Sequence, residues 1–210
     1  MLSFVAALRS RAVSGALGVM SIDISVLSAR DLTLQKIGRN VVNFQKMEAM
    51  LKFVLTVGNF TGPISKTESL LNGNAKRVRS QPMGHLVEQA ARALHSDPPK
   101  PPPDIAEIWF SHSFSLKDGG SQLPQWRREM RRVVKERNSL IHNMLAAWNP
   151  NSLDSSMALC KELDGQRERI ISAYNHLESV VLAIRESHQE LASQVDQIVS
   201  NILSERASDA

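Results

Sequence analysis

Apolar residues recur at helical spacing from Leu34 through Ile37, Val41, Phe44, Leu51 and Val54 to Leu55, and the pattern stops at Gly58. Just upstream, Ser28-Ala-Arg-Asp31 has the form of a capping box, so the sequence predicts a long first core helix opening there. From Asn59 to Pro82 the punctuation of Gly62-Pro63 and Asn72-Gly73-Asn74 reads as a loop holding one short helix around Thr67 to Leu71. A second amphipathic helix covers Gly84 to His95. The run Pro98-Pro99-Lys100-Pro101-Pro102-Pro103 reads as a stiff extended connector, because consecutive prolines fix φ and remove backbone donors. Between Ile105 and Leu116, Ile108, Phe110, His112, Phe114 and Leu116 alternate as on a strand, yet no partner strand is evident.

The next helix has the clearest pattern. It opens at Pro124, stops at Asn149-Pro150, and carries Trp126, Met130, Val133, Val134, Leu140, Ile141, Met144, Leu145 and Trp148 as an unbroken stripe. A last helical stretch runs from about Ser152 to about Leu203. Within it Ile170, Tyr174, Leu177, Val181, Ile184, His188, Leu191, Val195, Ile198 and Ile202 alternate at spacings of four and three, a heptad seam that needs a surface to bury against.

Composition sharpens the fold class. Aromatics are only 5% of the chain, while Leu, Ala, Arg and Glu abound, which favours helices over strands and predicts an all-α class. The expected architecture is an antiparallel helical bundle with a long C-terminal helix and a Pro-rich connector. Residues 28–205 form one helical domain, with 97–123 as connector or insertion and 206–210 as a disordered tail; 1–27 are a leader or an extra helix. The single cysteine, Cys160, excludes a disulfide framework and any multi-cysteine metal site and fits a reducing, cytoplasmic setting. No apolar run is long enough to span a bilayer, no metal site is expected, and no cofactor-binding loop is present.

Charge is unevenly spread. Between Pro124 and His142 the bases Arg127, Arg128, Arg131, Arg132, Lys135 and Arg137 face only Glu129 and Glu136, whereas the stretch from Cys160 to Arg206 is net acidic. A polyanion such as RNA would therefore meet the middle of the chain. Inside the basic segment lies Glu136-Arg137-Asn138-Ser139-Leu140-Ile141-His142-Asn143. It resembles the RNxxxH form of the R-x4-6-H signature of HEPN domains, small helical bundles that dimerise. The resemblance is confined to this motif and the order of helices around it. Two further R-x4-6-H matches, Arg79 to His85 and Arg169 to His176, lack its helix or its polar residue after the arginine and serve as controls.

The resemblance implies a metal-independent endoribonuclease, a homodimer whose Arg137 and His142 face a cleft across the two-fold axis. It further implies a toxin or phage-defence component with an antitoxin or other partner protein. The residue types suit that chemistry. Histidine titrates near neutral pH and moves the proton of the RNA 2′-hydroxyl, while arginine forks onto the oxygens of the developing phosphorane. Asn138, one turn before His142, orients the imidazole or touches phosphate, and Arg128, Arg131, Arg132 and Lys135 hold flanking backbone without reading sequence. On a regular helix Arg137 falls in the apolar stripe and His142 about 140° away, so a single copy clamps a phosphate poorly and two copies are needed. Two alternatives stand beside this reading: a non-catalytic helical module that binds RNA or protein through the same helix, and a coiled-coil scaffold in which the C-terminal seam is the function. A bland account of the motif pairs Arg137 with a neighbouring acid and leaves His142 merely exposed.

Overall fold

The computed structural model describes residues 2–94, 109–115 and 122–208. The Pro-rich run at 98–103 and most of the connector lie outside the described residues. The fold is mostly helical, as composition predicts, with one small sheet. In chain order it comprises α1 (Leu2–Val57), β1 (Asn59–Pro63), a single 3-10 turn, α2 (Thr67–Arg79), α3 (Met83–Ala93), β2 (Trp109–Ser113) and α4 (Gln122–Ser139). A π turn (Leu140–Met144), the short α5 (Leu145–Ala147) and α6 (Leu153–Ser208) complete it. Among the described residues no helix is long and apolar enough to cross a membrane.

Helix α1 runs through Ser28 rather than starting there. No proline interrupts residues 2–27, and Gly15 and Gly18 each disfavour a helix by only about 1 kcal/mol. At its other end the Gly58 amide still donates to the Val54 carbonyl, after which the chain turns into β1. The stretch expected to be a loop thus holds a strand and a full helix. The strand expected to lack a partner finds it there: β1 and β2 pair antiparallel, Asn59 opposite Ser113 and Pro63 opposite Trp109. Asn59 closes one end of this ladder, its side-chain amide donating to the Ala93 carbonyl at 2.6 Å while its Oδ1 accepts from the Phe114 amide at 3.0 Å.

The chain forms two compact units. The first comprises Met1–Phe44 and Lys135–Ile170. In it α1 and α6 run in the same direction, since Thr33 meets Ser156 and Cys160 whereas Asn40 meets Leu163 and Gln166. The α4 end runs antiparallel to α6, with Glu136 against Gln166 and Arg169 and Trp148 against Ser156. The inward positions of α1 here are Thr33, Asn40 and Phe44; Leu34, expected in the core, is 49% exposed. Thr33, Asn40, Ser156 and Gln166 are all fully buried, so this core is held by hydrogen bonds as well as by Leu140, Leu159, Leu163 and Ile170. Helix α6 begins on Ser152, whose hydroxyl accepts from the Ser155 amide at 3.2 Å, with Asp154 in the first turn.

The second unit comprises Gln45–Val134 and Ile171–Ala210. Its core joins Met47, Leu51 and Val54 of α1, Leu86, Val87 and Ala90 of α3, Trp126, Met130 and Val133 of α4, and Leu177, Val181 and Ile184 of α6. Leu177, Val181 and Ile184 of the heptad seam are therefore buried within the chain, Tyr174 is half-buried, and Val195 emerges 41% exposed.

Candidate functional site

In the first unit, the helix expected to run unbroken from Pro124 to Asn149 opens into a π turn at Leu140–Met144, where the Leu145 amide donates to the Leu140 carbonyl. A π turn withdraws a carbonyl from the regular ladder, and such turns concentrate at functional sites. Directly upstream, the Gln166 side-chain amide donates to the Glu136 carbonyl at 2.9 Å, while its Oε1 accepts from Asn40 at 3.0 Å. A buried amide from α6 thus ties α1 to the segment that precedes the turn. His142 lies inside this turn and is exposed. Because a π turn rotates less per residue than an α-helix, it brings His142 round toward Arg137 from the ~140° that a regular helix imposes.

Arg137 is half-buried on the inward stripe of α4, three residues before the fully buried Leu140. Its Nη1 donates to Asn138 Oδ1 at 3.2 Å, and no carboxylate pairs with it among the described residues. The acid beside it is already engaged. Glu136 accepts from Arg169 Nε at 2.6 Å and Nη2 at 3.1 Å, and Arg169 also donates to Glu162 at 2.8 Å. The Glu136 carboxylate foremost holds the Arg169 guanidinium above its ordinary pKa; burial opposes it, and Glu162 adds a lesser push upward. The bland expectation that Arg137 pairs with a neighbouring acid is not met; that pairing belongs to Arg169. Asn138, expected beside His142, is exposed and bonded to Arg137 instead.

In the second unit Arg128 and Arg132 are exposed, as is Lys135 in the first. Arg131 is different. Its Nε donates to Glu88 Oε1 at 2.7 Å, while Arg127 Nε donates to Glu88 Oε2 at 3.0 Å. The two guanidiniums, Arg131 foremost, hold the Glu88 carboxyl down at about 2. Arg131, expected to bind phosphate, is therefore in an ion pair that a phosphate must displace. His176, half of a control match, stands 3.7 Å from Glu129.

His188, expected to be a satisfied core histidine, has a buried Nε2 without a hydrogen-bond partner among the described residues, as has Nε2 of His112. The two rings meet edge to face at 4.4 Å, with Phe60 5.8 Å from His112 and 6.4 Å from His188. His112 is 8% exposed, and burial, reinforced by His188, pushes its pKa down.

Sequence reasoning missed Gln166, Asn40 and Arg169. A signal for the first existed: Gln166 lies three residues after Leu163 and four before Ile170, a polar residue at an inward helical position. No protein-family model matches the chain, and no curated protein or solved structure matches it.

Proposed function

We propose that this chain is a metal-independent endoribonuclease of the HEPN type, working in the cytoplasm as a homodimer in which Arg137 and His142 of each copy face a shared cleft. The observation that carries the reading is the state of Arg137. It is a half-buried guanidinium with no carboxylate partner among the described residues, next to an acid that Arg169 and Gln166 hold away, and five residues before an exposed histidine in a π turn. A guanidinium kept on an inward stripe without a counter-charge is stabilised by an anion that arrives from outside. In this mechanism His142 takes the proton of the RNA 2′-hydroxyl, whose oxygen forms a bond to phosphorus as the bond to the 5′-oxygen breaks; that oxygen takes a proton from water, leaving a 2′,3′-cyclic phosphate and a 5′-hydroxyl end. Arg137 neutralises the phosphorane oxygens, Asn138 orients the guanidinium rather than the imidazole, and Arg128, Arg132 and Lys135 of α4 hold flanking backbone. A toxin or phage-defence role, with an antitoxin as partner, follows from the resemblance alone.

The test is incubation of the purified chain with total RNA in EDTA, beside Arg137→Ala and His142→Ala. Products ending in a 2′,3′-cyclic phosphate, lost in both variants, support the reading. The non-catalytic RNA-binding module draws on the exposed imidazole, which no side chain among the described residues holds by a hydrogen bond. It predicts salt-sensitive RNA binding with no cleavage in any of the three proteins.

A further inference from the structure

The second unit carries an apolar cavity of about 400 Å³ in which none of the residues assigned to RNA cleavage takes part. Its walls are Val57 at the end of α1, Phe60 of β1, Phe110 of β2, Leu71 of α2 and the face of α6 that runs from His188 to Asp196. The strands place the two rings by alternation. Phe110 and His112 share one face of β2, and register sets Phe60 opposite His112, so the rings of Phe60 and Phe110 lie 5.3 Å apart. Gly62 lets α2 close against this sheet, since a Cβ there would strike the Leu70 side chain, next to Leu71. On α6, His188, Leu191, Ala192, Val195 and Asp196 stand at i, i+3, i+4, i+7 and i+8, one face about 12 Å long.

Charge along this face is one-sided. Asp196 is the one carboxylate among the described lining residues, and no lysine or arginine lines the cavity among them. Along α6 from Glu186 to Ser204 the acids Glu186, Glu190 and Asp196 meet no lysine or arginine. At the opposite end His188 touches His112, which burial pushes toward its neutral form. The cavity is thus an apolar slot with a negative charge at one end, which attracts a cation and repels a carboxylate. Its volume falls in the range of pockets for small organic ligands. A helix with its side chains is about 10–12 Å across and would lie over such a slot rather than fill it.

We infer that this cavity binds a small hydrophobic amine, its apolar body between Phe60, Phe110, Leu71 and Leu191 and its ammonium at Asp196. The site stands or falls independently of the RNA-cleavage assignment.

The probes are phenylbutylamine, phenylbutanol and phenylbutanoate, which share an apolar body and differ in the charge of the head, each titrated calorimetrically into the full chain at low salt. The amine binds most tightly, the alcohol next and the carboxylate least, with about tenfold between the two charged probes. Asp196→Asn narrows that gap to less than about threefold and leaves the alcohol unchanged. Ala192→Trp fills the slot and abolishes binding of all three. Ala192 and Asp196 are exposed, so both variants keep the fold, which circular dichroism verifies. Binding of none of the probes, equal affinity for amine and carboxylate, a gap that persists in Asp196→Asn, or binding that survives Ala192→Trp would each overturn the inference. So would a wild-type dimer that Ala192→Trp turns into a monomer on sedimentation, which gives the cavity to a second copy of the chain.

Discussion

Gln166→Leu is the substitution whose effect the structure sets most tightly. Gln166 is fully buried, and its amide spans two helices: Nε2 on the Glu136 carbonyl at 2.9 Å and Oε1 under the Asn40 amide at 3.0 Å. Leucine has a similar volume and adds no cavity, so the change isolates the polar loss. The Glu136 carbonyl loses its donor from α6, and an unsatisfied buried group costs about 1–3 kcal/mol. Asn40 keeps its bond to the Leu163 carbonyl at 2.9 Å, so its loss is the smaller of the two. Greater apolar burial offsets about 1 kcal/mol. The expected net destabilisation is about 2 kcal/mol, a fall of about 4–8 °C in Tm for a chain of this size. Thermal and urea unfolding measure it. In Asn40→Leu/Gln166→Leu the two losses should add to less than their sum, because each single variant already breaks the shared bond. A change below about 0.5 kcal/mol for Gln166→Leu, or strict additivity in the double variant, would refute the claim that this amide holds the segment before the π turn.

Other outcomes follow from the same contacts. Arg137→Ala and His142→Ala should each lower RNA cleavage by about 10² or more with unfolding midpoints within about 1 kcal/mol of wild type, which single-turnover assays and urea titration check together. Arg169→Ala, by contrast, is no neutral control: it strips Glu136 of its bidentate partner and should lower stability by about 1–2 kcal/mol as well as activity, so Arg79→Ala takes its place. Glu88→Gln releases Arg127 and Arg131, and RNA binding should tighten and steepen in its salt dependence, while stability drops by less than about 1 kcal/mol because both guanidiniums are largely solvated. His112 is held neutral when folded, so the unfolded chain binds more protons. Stability is full above the ordinary histidine pKa near 6.5 and declines as pH falls through it; His112→Phe should flatten that decline in a pH series of unfolding curves.

The helices with strong periodicity were legible, and the reasons for the misses are physical. Composition carried the helical class, and α3 and α6 follow their apolar spacing. The start of α1 was misplaced because Ser28 and Asp31 satisfy a capping pattern that helix propensity on both sides overrides. The sheet was invisible locally: β1 is five residues with Gly62 and Pro63 inside it, and its register with β2 depends on a partner some fifty residues away. The inward face of α1 in the first unit escaped because its positions are Thr33 and Asn40, polar residues that periodicity assigns to solvent but that find partners in Ser156, Leu163 and Gln166.

The motif itself was legible, but its surroundings were not. A helical wheel placed Arg137 in the stripe correctly and set His142 on the far side, which made two copies the only route to a joint site. The wheel assumes an α-helix throughout, and the sequence Leu140-Ile-His-Asn-Met144 contains no glycine or proline to warn otherwise. What holds the chain around the turn lies on another helix, α6, in Gln166 and Arg169, which secure the carbonyl and the carboxylate of Glu136. The same two residues engage the adjacent acid, and among the described residues no carboxylate pairs with Arg137. One set of contacts therefore accounts both for the shape that presents His142 and for the unneutralised guanidinium beside it, and a substitution that loosens Glu136 should disturb both members of the pair at once.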